Sequence, residues 1–556
     1  MSGFLCFVVK QRYIKNLCDP KLLHLLPDFE KLMINRFFTL LIFCQFLAAV
    51  TAKGQDLTTV SSVKNYAGYD TARNYNITPV IDSTVVLEPK RLYRTSFDSL
   101  YFTTGVDDST SIYTYRGSNQ RNSPVRGWLD GRPSEITDSW IFTTGSDTAN
   151  GDYGVWGGGA GWTGQPLVVK WTKEELRSVN DIEKGILGSD SSLTEIIQVS
   201  LAGKVYFIDF NTGKRTRKPL EINNPIKGTP AIDGPARRYL LVGQGIQNRD
   251  IFAWRVFDLR TSKLLHTEAM PSYFAYRGWG ACDATPLIDP LTTGFFWPSE
   301  SGILYRGYLR DKMLDSVEQY RYMIKAHPKV GTESSPSAFG YLGYITDNSG
   351  NILCIDLRSM KTRWYFFNTD DTDGSPVVSI RDSIPYIYVG HEVDLQGNKG
   401  EAHIRKLNGL TGKPEWTYTT DCYSLTKPRT DNGGMLCTPV AGVKKGSGLI
   451  WTIFSRTTAY GGGSFVCLND SDGSVRYEIK LKAYSWVSPI ALYDRDGNPY
   501  IYFSDVVGNI FLIDGLTGEI IYKRNLNYIF ESSPVAVGNR IIQPARGNRI
   551  LSFTIK

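Results

Sequence analysis

The chain of 556 residues carries 62 Lys and Arg against 55 Asp and Glu, a formal net charge of +7. Residues 1–52 hold six of the basic and three of the acidic residues, so the remainder is close to +4. That balance gives no reason to expect nucleic-acid binding or a basic membrane-facing surface. With 53 Gly and 32 Tyr but only 7 Met, the composition favours strands and turns over helices.

The first recognisable element is an address. Met-Ile-Asn-Arg from Met33 precedes an apolar run, Phe37 to Val50, that ends on small residues at Val50 and Ala52. This is the pattern of a secretory signal cut after Ala52, the run being short for a membrane span of about 20 residues, with an uncleaved anchor as the alternative. Residues 1–32 fit no targeting pattern, and Met33 reads as the true start. Cys44 lies inside the apolar run, so no lipoprotein attachment signal is present.

Residues 53–160 carry a local echo, Asp98-Ser-Leu-Tyr-Phe-Thr-Thr-Gly105 against Asp138-Ser-Trp-Ile-Phe-Thr-Thr-Gly145. Strands are expected here, with long loops at Ser118–Pro133 and Thr144–Gly161. The second loop holds Trp156 and Trp162 among glycines, either presenting a ring to a ligand or capping the fold.

From residue 161 to 556 the chain is a repeat. One phrase, a strand followed by an Asp, Asn or Gly anchor and a tight turn, recurs at 209, 258, 307, 356, 408, 469 and 514. Alternating apolar residues before the anchor make a strand. The Asp or Asn side chain bonds backbone N–H groups just beyond it, and Gly four positions on supplies positive φ. An aromatic follows eight residues after four anchors, Trp364, Trp416, Tyr477 and Tyr522, suited to packing between neighbouring sheets.

A second marker is Pro at strand entry, at 166, 230, 286, 336, 376, 439, 489 and 534. The last unit ends after three strands. Eight entries with a truncated final unit imply an all-β, eight-bladed β-propeller of four-stranded antiparallel blades, with seven blades as the alternative. The missing strand is expected from the N-terminal segment, between Thr58 and Tyr101.

Three residues before each entry Pro stand Thr163, Lys227, Asp283, Glu333, Asp373, Leu436, Trp486 and Glu531. Equivalent positions in a propeller ring one end of the central channel. Asp283, Glu333, Asp373 and Glu531 are therefore candidate binding residues for a cation or a basic partner segment, with Trp162, Trp279 and Trp486 as apolar neighbours. The competing reading has each carboxylate cap its own turn.

Five cysteines follow Ala52, and Cys422 with Cys437 flank a polar loop across which they could bridge. His391 and His403 lie in one unit without a third ligand. Asp494 to Asn498 reads as a hairpin turn. No phosphate loop, zinc-protease helix or nucleophile elbow occurs, so no catalytic residue is assigned.

The phrase Leu-Ile-Asp514-Gly-Leu-Thr-Gly518-Glu-Ile-Ile-Tyr522, with Ser-Ser-Pro534 opening the next unit, resembles the repeat of the pyrroloquinoline-quinone (PQQ) type propellers. The pattern covers about 70% of the chain. That family includes quinoprotein alcohol and sugar dehydrogenases, in which PQQ and Ca²⁺ lie over the channel. It also includes BamB, a non-enzymatic lipoprotein scaffold of outer-membrane barrel assembly. The dehydrogenases typically stack the quinone on a disulfide between adjacent cysteines, and no two cysteines here are adjacent. No block matches their Ca²⁺ ligands and catalytic Asp. The expectation is a monomeric, exported, non-enzymatic binding or scaffold protein with a protein or peptide partner in the cell envelope and no cofactor. A PQQ- and Ca²⁺-dependent oxidoreductase is the alternative.

Overall fold

A computed structural model describes residues 85–91, 96–102, 110–151, 154–161, 164–186, 192–247, 249–310, 317–324, 329–425 and 431–556. The signal-like segment, Trp162 and Thr163 lie outside them. Among the described residues no helix is long and apolar enough to cross a membrane.

Eight antiparallel sheets form a ring, and each of the eight entry prolines stands directly before the innermost strand of one blade. Blades 1 to 7 span 167–221, 231–269, 287–324, 337–367, 377–423, 440–481 and 490–525. Blade 8 takes three strands from 535–555.

The repeated phrase is the tight turn that follows the third strand of a blade. Asp209 Oδ1 accepts from the Thr212 N–H and hydroxyl, both at 2.6 Å. Asp356 and Asp514 accept in the same way from N–H groups two and three residues on, at 3.0–3.1 Å. Four residues after the anchor the backbone is left-handed: φ is +70° at Gly213, +72° at Gly412 and Gly473, and +79° at Gly518. The degenerate copy at Gly307 falls inside the third strand of blade 3, Ile303–Tyr308.

These turns join the blades. The Trp364 ring of blade 4 lies against Gly412 of blade 5, where a Cβ would meet the ring at 2.8 Å. Its indole N–H donates to Gly409 O at 2.8 Å. Trp416 repeats this on blade 6, against Gly473 and donating to Asp470 O at 2.8 Å. Tyr477 repeats it on blade 7, against Gly518 with its hydroxyl 2.9 Å from Gly515 O. The recurring aromatic is thus a cross-blade lock, stacked on a glycine that no other residue can replace without displacing the ring.

The eighth blade corrects the expected closure. Its outermost strand is Ile136–Thr143, antiparallel to Arg549–Ile555, and not a strand between Thr58 and Tyr101. Trp140 supplies this blade's lock, lying against Gly213 of blade 1 and donating to Phe210 O at 3.0 Å. The strand found within the expected interval, Val85–Arg91, instead pairs with Glu318–Ile324 as a fifth strand of blade 3. The echo containing Asp98 is therefore not a second closing strand.

The stretch expected as a loop over Ser118–Pro133 belongs to a segment that runs through the ring. Ile112 exchanges two backbone bonds with Val168 of blade 1, and Tyr113 O accepts from Ile232 of blade 2. The Asn119 side chain donates to Ile288 O of blade 3, while Asn119 O and Gln120 O accept from Ala338 and Val378 of blades 4 and 5. Asn122 bonds Ala441 of blade 6, Leu129 donates to Tyr493 O of blade 7, and Val125–Arg126 pairs in parallel with blade 8. Residues 110–129 therefore touch the innermost strand of every blade. The other expected loop, Thr144–Gly161, contains a hairpin of Ser146–Gly151 and Gly154–Gly158.

Candidate functional site at the channel mouth

The residue before each entry Pro builds a hydrogen-bonded ring. The N–H of Gln165 donates to Thr229 Oγ1, that of Thr285 to Ser335 Oγ, and that of Ser335 to Ser375 Oγ. Ser375, Thr438 and Ser488 continue to Thr438, Ser488 and Ser533, at 2.9–3.2 Å. Thr285 Oγ1 donates to Thr229 O, and Ser533 N–H to Gly164 O, completing the circuit. Tyr115, from the axial segment, closes it from beneath: its hydroxyl lies 2.9 Å from Thr438 Oγ1 and 3.1 Å from Ser488 Oγ.

Above Tyr115 is a cavity of ≈ 20 Å³ lined by Asp283, Glu333 and Asp373 together with Thr229, Thr285 and Ser335. The three acids expected at the channel mouth thus meet at one place. Among the described residues none of them accepts a bond from a backbone N–H, so turn capping does not account for them. Glu531 occupies the equivalent position but is held apart by Arg546, 3.3 Å away.

The register that found these acids missed four others. Glu300 comes from the connection between the second and third strands of blade 3, Glu392 and Asp394 from that of blade 5, and Asp371 from two residues before Asp373. In an antiparallel blade these connections open at the same end as the inter-blade loops, a topological signal that the entry-Pro count did not use. Carboxylate oxygens of Asp283, Glu300 and Glu333 lie within 4.8 Å of one another, as do those of Asp371, Asp373 and Glu392.

The two trios differ in one respect. Lys227 Nζ lies 2.5 Å from Asp283 and 3.0 Å from Glu333, so the first trio already holds an ammonium group. Among the described residues no Lys or Arg forms an ion pair with Asp371, Asp373 or Glu392. Two expected tryptophans border the trios. Trp279 donates to Glu300 Oε2 at 2.7 Å, and buried Trp486 donates to Asn432 O at 3.2 Å.

Burial and then the neighbouring carboxylates push Asp371, Asp373 and Glu392 well above the usual range. Burial raises Asp283 to about 6, with Lys227 opposing the rise. Each of these acids keeps its proton to higher pH in the folded chain than in the unfolded one, where Asp titrates near 3.8. Protonation therefore favours the fold; the contribution is whole below the unfolded values and is lost as pH rises through about 6 for Asp283 and through the raised range of the others. Thermal melts should give a higher Tm near about pH 5.5 than near about pH 8. Asp371→Asn/Asp373→Asn/Glu392→Gln should flatten that slope and raise Tm at the alkaline end. An unchanged slope would place the titrating groups elsewhere.

Cys422 and Cys437 do not bridge. Both are buried free thiols, Cys422 in an outermost strand and Cys437 just before the entry to blade 6, 3.3 Å from Ile453 O. His391 and His403 do approach, with ring centroids 4.9 Å apart, and no His, Cys, Asp or Glu joins them as a third ligand among the described residues. Asp494 to Asn498 forms the expected turn, Asp494 Oδ1 accepting from Asn498 N–H at 2.8 Å.

No known family profile and no curated protein matches the chain. Solved structures do match it. A quinohemoprotein alcohol dehydrogenase from Comamonas testosteroni has a TM-score of 0.54 at 10% identity, over 80% of this chain and 80% of its own. One from Pseudomonas putida HK5 has 0.52 at 9%, over 82% and 83%. BamB from Moraxella catarrhalis has 0.45 at 14%, over 70% of this chain and 96% of its own. At these identities the likeness to the dehydrogenases is one of fold alone. By its ring of eight four-stranded blades the chain is an eight-bladed β-propeller, a fold it shares with those dehydrogenases.

Proposed function

We propose that this chain is an exported, non-enzymatic binding propeller of the cell envelope that receives a basic side chain of a protein partner at its acidic channel mouth. The observation that carries this reading is the pair of trios. Lys227 forms ion pairs within the first, and the second offers three carboxylate acceptors with no ion pair upon them among the described residues, Lys227 acting on Asp373 only through space. A lysine tip presented by a partner would repeat at Asp371, Asp373 and Glu392 what Lys227 does at Asp283 and Glu333. Tyr273, Leu395 and Tyr460, 90%, 62% and 101% exposed, stand on connections at the same end and would cover the rest of such a segment. The signal-like run before Ala52 supports export.

The quinone chemistry that the resemblance implies does not suit these residues. The five described cysteines are separate buried thiols, and the ≈ 20 Å³ between the acids has room for about one water-sized particle. Carboxylate oxygens do suit Ca²⁺, and Asp371, Asp373 and Glu392 are the residues that would hold it.

Titration calorimetry separates the two occupants. A lysine-rich peptide should give saturable heat with the wild type and at least about tenfold weaker binding to Asp371→Asn/Asp373→Asn/Glu392→Gln, a loss of roughly 1.4 kcal/mol or more. Saturable heat with Ca²⁺ and none with the peptide would replace the partner segment by a cation. Equal heats from both proteins would overturn the site.

A further inference from the structure

Two arginines of the axial segment are fully buried, and they are treated very differently. Arg121 spends its donors on carbonyl and hydroxyl oxygens: Nε on Pro336 O at 2.7 Å, Nη1 on Thr114 Oγ1 at 2.7 Å and Tyr115 O, and Nη2 on Thr285 O at 2.9 Å and Pro286 O. Arg116 is 0% exposed, yet Nε, Nη1 and Nη2 each lack a hydrogen-bond partner. Among the described residues no carboxylate forms an ion pair with either arginine.

Three further facts bear on Arg116. Its backbone is left-handed, φ +53° and ψ +24°, an arrangement that a residue with a Cβ rarely adopts and that Arg121 shares at φ +60°. Tyr115 and Cys437 act on it electrostatically, and the Tyr115 hydroxyl meets Thr438 and Ser488 of the hydroxyl ring. Burial lowers it only to about 10, and Arg121 to about 9, so both are cations at neutral pH.

The Arg116 guanidinium has neither a carboxylate nor the neutral oxygens that hold Arg121, and a counter-charge inside the same enclosure would supply what both lack. We propose that Arg116 holds a small monovalent anion, a halide such as chloride, on the propeller axis beneath the acidic mouth. Complete enclosure excludes a carboxylate or phosphate carried on a larger molecule. A single negative charge neutralises the one guanidinium whose donors are unspent, while Arg121 is served by carbonyl dipoles. The Tyr115, Thr438 and Ser488 hydroxyls are the neighbouring donors.

The test is crystallographic and thermal. Crystals of the full chain prepared in bromide, with data collected at the bromine edge, should show an anomalous peak in contact with the Arg116 guanidinium. Replacing gluconate by chloride at fixed ionic strength should raise the wild-type Tm by a few degrees and leave Arg116→Met unmoved. Water without anomalous signal at Arg116, or an equal chloride response in the two proteins, overturns the proposal. Should Arg116→Met fail to fold, the bromide experiment on the wild type decides alone.

Discussion

Alanine in place of Trp364 is expected to destabilise the propeller by about 3–5 kcal/mol, the loss of a fully buried indole. The ring is 0% exposed, lies on Gly412 of the next blade, and its N–H satisfies Gly409 O. Phe at the same position keeps most of the packing and leaves Gly409 O without its donor, for about 1–2 kcal/mol. Gly412→Ala attacks the lock from the other side: its φ of +72° disfavours a Cβ, and that Cβ would sit 2.8 Å from the ring. Denaturant melts of the three variants should rank Trp364→Ala and Gly412→Ala well below Trp364→Phe. If Gly412→Ala melts with the wild type, the stacked glycine is not a lock.

The second large effect concerns closure. Removing residues 1–84 takes away no described strand and should leave a soluble monomer. Removing residues 1–144 also deletes the axial segment and the outer strand of blade 8. That bares the edge of Arg549–Ile555 and uncovers Val168, Val535, Ile542 and Ile550 at the seam between blades 8 and 1. An open edge beside exposed apolar residues is an aggregation site. The longer truncation should therefore appear in size-exclusion and light scattering as aggregate, or fail to fold. A soluble, monomeric product of that truncation would show that the ring holds without its outer strand.

What the sequence made legible follows from periodicity. Pro at strand entry and Asp or Asn at the third-strand turn each answer to a local backbone need, so they recur and can be counted. Asp283, Glu333 and Asp373 were found because they keep one register relative to that Pro. Glu300, Glu392 and Asp394 obey a different rule, set by which connections open at the mouth, and only antiparallel topology brings them beside the others. The closing strand was sought in the wrong interval although its marker was present: Trp140 stands in the echo Asp138 to Gly145 as the counterpart of Trp364 and Trp416. The axial segment has no period, because it meets each blade with different residues and different groups. Nothing in Ser118–Pro133 taken alone distinguishes it from a surface loop.

The axial segment has a consequence for the order of folding. Thr137 finds its partner Thr554 across 417 residues, and Tyr115 reaches Ser488 across 373. Segments near the beginning of the chain must wait for the last blade to exist before their own bonds can form. Loops of that length are costly to close and slow to find. Until they close, the nascent ring presents an unpaired edge at each end and an empty axis. Once residues 110–129 are bound to all eight blades, opening must break contacts at both ends of the sequence together. The chain therefore folds as an arc that is locked last and from within, and its resistance to unfolding should be kinetic in character.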